Sequence, residues 1–159
     1  MYHYDGHRAC GVSFSPEETK KRHGTCPQCK KPLTIGVLNR VDNLADRKLG
    51  QKSENKIPFR SLVGLDDVIA EALDVKGRKS KAVSAAYENL IAKGKNEFNI
   101  LLELSYDELG KITSPQIVEG VKRNREGKVF IEPGFDGQYG VVKLFSPKEK
   151  KKARQNSLF

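Results

Sequence analysis

The residues best placed by type and spacing to do chemistry are His7-Arg8-Ala9-Cys10 and Cys26-Pro27-Gln28-Cys29, two pairs with two residues between their members. A tight turn within each pair aims two side chains at one point. Two such turns supply the four soft or borderline donors of a closed tetrahedral zinc site. Cys10, Cys26 and Cys29 are the only cysteines of the chain. More than one histidine could complete the set, since His3 and His23 also lie nearby. His7 is favoured because it gives Cys10 the partner that Cys29 gives Cys26, whereas His23 would crowd the second turn and leave Cys10 alone. The plain alternative is three unrelated buried thiols beside a surface histidine. A closed site has no open coordination position, so Zn2+ here is expected to be structural, and no catalytic residue is assigned.

The elements that must position these ligands follow from local signals. Ser15-Pro16-Glu17-Glu18 combines an N-cap serine, a first-turn proline and a reciprocal glutamate, which predicts a short helix or turn between the two ligand pairs. Leu33 to Leu38 reads as a strand leaving the metal site, and Val41 to Asp46 as a brief helical turn. The zinc-binding module then spans 1–47, followed by a Lys-, Gly-, Ser- and Asn-rich linker over 48–58.

Helical spacing resumes with Leu65, Val68, Ile69, Ala72 and Leu73, and again from Ser80 to Lys93 around Val83, Ala86, Tyr87 and Leu90. The apolar run within Glu97 to Leu104 fits neither period cleanly and is read as helix. Ser105-Tyr106-Asp107-Glu108 is a second capping box, and Ser114-Pro115 starts a helix with Ile117, Val118 and Val121 on its buried face, ended by Gly127. Lys128 to Ile131 and Tyr139 to Phe145 read as short strands joined by the turn Pro133-Gly134-Phe135-Asp136-Gly137. The fold class is therefore α+β: a small zinc-ribbon-like N-terminal module, a mainly α-helical domain over 59–145 ending in a short β-hairpin, and a disordered basic tail over 146–159.

Charge and composition narrow the function classes. Lys and Arg number 29 against 20 Asp and Glu, a net charge of +9 that favours polyanionic partners. No apolar signal core and no run of ~20 apolar residues is present, so a cytoplasmic, nucleoid-associated protein is expected. Gly77-Arg78-Lys79-Ser80 lacks the upstream glycine of a phosphate loop, and neither a G-x-S-x-G elbow nor an H-E-x-x-H helix occurs. The Cys26-Cys29 pair is not set in a βαβ pattern, which argues against thiol redox chemistry. The chain reads as a recognition part, with Lys30, Lys31, Arg78, Lys79, Lys81, Arg123 and Arg125 as candidate nucleic-acid contacts and Tyr2, Tyr4, Phe14 and Tyr139 available for base stacking.

Tyr2-His3-Tyr4-Asp5-Gly6-His7-Arg8-Ala9-Cys10, Cys26-Pro27-Gln28-Cys29, Gly36-Val37-Leu38-Asn39-Arg40-Val41, Pro58-Phe59, Ser80-Lys81, Glu126-Gly127-Lys128-Val129 and Pro133-Gly134-Phe135-Asp136-Gly137 together resemble the C-terminal part of endonuclease Q across nearly the whole chain. That family joins a catalytic polymerase-and-histidinol-phosphatase domain to zinc-binding and helical domains that grip damaged DNA. It cuts 5′ of deaminated bases such as uracil and hypoxanthine, and of abasic sites. The resemblance implies a DNA-binding, non-catalytic portion whose catalytic domain lies upstream or on a separate subunit. Met1 falling inside the Tyr-His motif suggests truncation. His7 stands where archaeal relatives tend to carry cysteine, a departure that still offers a ligand. The terminal Gln155-Asn156-Ser157-Leu158-Phe159 resembles the bacterial sliding-clamp pentapeptide, implying a bacterial source and a clamp partner contacted through Gln155, Leu158 and Phe159. The competing reading is a zinc-ribbon adaptor that binds RNA or a protein and has no link to repair. An independent enzyme is disfavoured by the absent general-base and open-metal constellations.

Overall fold

The computed structural model describes residues 2–47, 50–51, 57–146 and 149. In chain order the elements are β1 (Tyr2–His7), β2 (Val12–Phe14), α1 (Pro16–Lys21), α2 (Val37–Leu44), α3 (Leu65–Ala72), α4 (Lys81–Gly94), α5 (Tyr106–Ile112), α6 (Pro115–Arg125), β3 (Phe130–Glu132), β4 (Gly134–Phe135) and β5 (Val141–Lys143). The fold is thus mixed α and β, as the patterns imply. Two compact units form, Met1–Pro58 with Ile131–Val141, and Phe59–Phe130 with Val142–Phe159. The segment 131–141, grouped above with the helical part, belongs to the N-terminal unit.

In the N-terminal unit the sheet order is β2-β1-β4, with β2 antiparallel to β1 and β4 parallel to it. β1 and β2 face each other from Asp5–Phe14 to His7–Val12, so the ladder ends beside the first two ligand positions. Ser15 and Glu18 close the expected capping box at the start of α1, with the Ser15 amide 2.9 Å from the Glu18 carboxylate. The small core holds Val12, Cys26 and Leu33, flanked by Cys10 and Phe14.

The strand expected over Leu33 to Leu38 does not form. Thr34 makes a single bridge to Gly6, and the chain turns into α2 at Val37. The turn needs Gly36, because a Cβ there would strike the Tyr4 carbonyl oxygen and sit 2.6 Å from that of His3. The Gly36 amide donates to Asp5 Oδ1 at 2.6 Å, and Asn39 Nδ2 donates to Asp5 Oδ2 at 2.7 Å. α2 consequently turns a polar residue inward and leaves Val37, Val41 and Leu44 exposed. The helical turn expected at Val41 to Asp46 is the second half of this helix.

In the second unit, α3 to α6 bury Leu65, Val68, Ile69, Val83, Leu90, Leu109, Ile117 and Val121 in one core with Ile100, Leu101 and Leu144. Ser80 caps α4, and Ser105 with Glu108 forms the capping box of α5. The ambiguous run after Glu97 resolves into one π-helical turn, Asn99–Glu103, rather than an α-helix. Such turns are rare and hold an extra residue per turn. Asn124 is buried, and its amide accepts from Val63 N at 2.9 Å and donates to Val63 O at 2.8 Å, clasping the start of the unit to α6. Asn124→Ala would strip both backbone groups of their partner. It is expected to cost about 2–3 kcal/mol in urea unfolding, and a loss below about 0.5 kcal/mol would show the clasp to be dispensable.

β3 and β5 pair as the expected two strands, while the glycine-rich segment between them supplies β4. Among the described residues no helix is long and apolar enough to cross a membrane. Gln155, Leu158 and Phe159, with most of the basic tail, lie outside the described residues.

Candidate metal centre and nucleic-acid interface

β1 delivers His7, and a single 3-10 turn, Arg8–Cys10, swings Cys10 back beside it. The second pair sits on a hairpin closed by Cys26 N to Lys31 O and Lys30 N to Cys26 O, each 2.9 Å, with Lys30 at a φ of +63°. These two turns bring one ligand atom each of His7, Cys10, Cys26 and Cys29 within 4.8 Å of one another. His7 Nδ1 lies 3.4 Å from Cys29 Sγ. Tetrahedral zinc with bonds of 2.0–2.3 Å has ligand–ligand edges of about 3.5–3.8 Å, so a small contraction of this cluster would seat such an ion, and one imidazole with three thiols is a donor set that suits it. Neither His3 nor His23 belongs to a metal-sized cluster among the described residues.

The thiols are prepared unequally for binding. Backbone amides of Cys29 and Gln28 point at Cys26 and, against the cost of burial, bring its thiol down to about 6. Cys10 moves the other way, to about 11, through removal from water and then through the neighbouring thiols of Cys29 and Cys26. A cation held between them would favour the thiolate of Cys10 and so would displace its proton.

Two acids that the sequence reading did not single out as functional support the ligand loops. Asp5 orients the turn at Gly36, as described. Asp136, in the turn after β4, accepts from the Arg8 amide at 2.5 Å. That bond, with the Thr34 hydroxyl second, holds its carboxyl below the usual carboxylate range. Both lie in motifs that carry the endonuclease Q resemblance, which was the available signal.

The basic candidates separate into two groups. Lys30, Lys31, Lys79 and Lys81 are exposed. Arg78 is also exposed but lies 3.8 and 3.6 Å from the Asp66 and Asp67 carboxylates. Arg123 and Arg125 serve the fold instead. Arg123 reaches Glu119, Glu149 and the Leu144 carbonyl at 2.7–3.0 Å and lies over the Phe145 ring. Arg125 donates to the Ile100 and Leu101 carbonyls at 2.8 Å and stacks over Tyr106. The donors of these two arginines are turned largely to protein carbonyls and carboxylates.

Comparison with known proteins places this architecture. A family model described as the MJ0043 C-terminal domain matches residues 64–128. The uncharacterized protein MJ0043 of Methanocaldococcus jannaschii is 34% identical over 148 residues, 93% of this chain but 18% of that protein. The lesion-specific endonuclease PfuEndoQ of Pyrococcus furiosus superposes with a TM-score of 0.74 and 25% identity, over 89% of this chain and 34% of the other. Endonuclease Q in complex with a 27-mer duplex substrate carrying an abasic lesion at the active site gives 0.71 and 24%, over 94% and 37%. The chain thus shares an endonuclease Q-like fold and spans about a third of these solved chains, and under a fifth of the curated relative.

Proposed function

We propose that this chain is the DNA-gripping zinc and helical portion of an endonuclease Q-like repair nuclease from a bacterial source, with one structural zinc on His7, Cys10, Cys26 and Cys29. In this reading, catalysis belongs to a domain outside the chain, and the whole protein cleaves 5′ of deaminated bases or abasic sites. The observation that carries the reading is the likeness to endonuclease Q over 89% of the chain, which covers the zinc and helical units alike. Lys30, Lys31, Lys79 and Lys81 contact phosphates, and residues 146–159 tether the protein to a sliding clamp through Gln155, Leu158 and Phe159. The bacterial source and the clamp rest on the terminal pentapeptide alone.

Fluorescence anisotropy with abasic, uracil-containing and intact duplexes and with RNA of equal length tests the proposal. Preference for the abasic duplex, with affinity falling steeply as salt rises, is the expected result. Equal or tighter binding to RNA would favour an adaptor role. The purified chain is expected to leave the deoxyuridine duplex uncut, and metal-dependent cleavage would overturn its non-catalytic assignment. Calorimetry of a bacterial clamp against a peptide of residues 146–159 should show binding that is lost when Leu158 and Phe159 are removed. No heat at high micromolar peptide would remove the clamp from the proposal.

A further inference from the structure

Between α4 and the π-helical turn the backbone takes an unusual path. Lys95 has φ +70° and ψ −55°, and the Asn96 amide donates to the Gly94 carbonyl at 2.9 Å. This is a γ-turn of the rare positive-φ kind, strained for any residue with a side chain. It is held from several directions. Gly94 is pressed against Ile100, where a Cβ would meet Cγ1 at 2.5 Å. Asn99 Nδ2 donates to the Gly94 carbonyl at 3.0 Å, and the Asn99 amide donates to Asn96 Oδ1 at 2.8 Å. The Glu97 carboxylate accepts from Leu65 N at 2.8 Å and from the Tyr87 hydroxyl at 3.1 Å. Arg125 fastens the Ile100 and Leu101 carbonyls.

Between the two anchored residues Glu97 and Asn99 stands Phe98, 70% exposed. Lys93 and Lys95 precede it, both exposed and neither ion-paired among the described residues. The fold therefore keeps a strained turn and an extra-wide helical turn around an aromatic ring that contributes little to any core. A rigid backbone lowers the entropy lost when that ring is captured, and flanking ammonium groups favour a polyanion.

We infer that Phe98 is a base-stacking wedge, entering the gap in a DNA stack where a base is missing or displaced, while Lys93 and Lys95 hold the adjacent phosphates. Aromatic rings stack on bases of any sequence, and apolar wedges enter most easily where stacking is already broken. The inference rests on the DNA-binding reading above and names one residue that would distinguish damaged from intact duplex.

The test uses the full chain, which contains no tryptophan, so that Phe98→Trp reports from this position alone. Phe98→Ala should weaken binding to a duplex with a tetrahydrofuran abasic site on the order of tenfold, leaving intact-duplex affinity and salt dependence unchanged. Phe98→Trp emission should be quenched by the abasic duplex and far less by the intact one. Unchanged circular dichroism and zinc content in both variants would show that the fold is retained. If the wild type binds DNA but Phe98→Ala matches it on both duplexes, or the tryptophan emission stays constant at saturation, the wedge is overturned and the DNA-binding reading stands. If the wild type binds no DNA, both fall.

Discussion

Cys26→Ala is expected to release the metal and unfold the N-terminal unit while the helical unit keeps its own thermal transition. The difference lies in the two cores. Among the described residues the helical unit buries a dozen apolar side chains in one cluster, whereas Val12, Cys26 and Leu33 form the buried apolar cluster of the other. So small a core offers little to offset the entropy of ordering its loops, and a metal bound by the four ligands would make up the deficit. Structural zinc contributes on the order of 10 kcal/mol or more at neutral pH, as much as the whole stability of a typical domain. His7→Ala should lose metal by the same logic, and His7→Cys should retain it in an all-thiolate site. Elemental analysis should find one zinc per chain. A metal-free protein whose His7→Ala form melts like wild type would sink the site as drawn. Acid should act in the same direction as chelation. Backbone amides favour the Cys26 thiolate, while removal from water and the neighbouring thiols push the Cys10 thiol up. Every ligand must shed its proton to bind, so metal affinity should rise with pH and metal loss should steepen in acid.

Asp5→Ala should destabilise the same unit with metal still bound, by about 3–5 kcal/mol. Asp5 is fully buried, and its two oxygens take the Gly36 amide and the Asn39 side chain. Asn43 in turn donates to Asn39 Oδ1 at 3.0 Å, so the truncation disturbs a chain of three side chains. Asp5→Asn preserves the shape but turns one acceptor into a donor facing another donor, and it should fall between the two. Urea unfolding at saturating zinc separates this effect from ligand loss. A shift below about 1 kcal/mol for Asp5→Ala would show that solvent reaches the freed donors.

The sequence was most legible where a short-range signal and a physical requirement coincide. The paired ligand spacing predicts the cluster that forms, and the Ser15 and Ser105 boxes mark helix starts where they occur. It was least legible where tertiary contacts override local pattern. Leu33 to Leu38 reads as a strand if apolar residues point inward, yet Ile35 and Val37 are 56% and 48% exposed and Asn39 is the residue taken inside. Arg123 and Arg125 look like phosphate contacts in a basic run, and only the fold shows the carbonyls and carboxylates that occupy them. Phe98 is inconspicuous in sequence because nothing local announces the γ-turn before it.

The strand β4 has a consequence for the order in which the protein is made. The ligand residues are all synthesised by Cys29, but the third strand of their sheet and the Asp136 contact to Arg8 arrive more than a hundred residues later. On the ribosome the cysteines can meet metal early, yet the unit cannot close until the helical segment has emerged and β4 follows it. A nascent chain stalled with residues up to 130 outside the exit tunnel should therefore hold zinc weakly and exchange it freely, and one released past 141 should hold it slowly. Premature termination before β4 would leave an open, thiol-bearing N-terminal unit and a helical core still lacking Leu144.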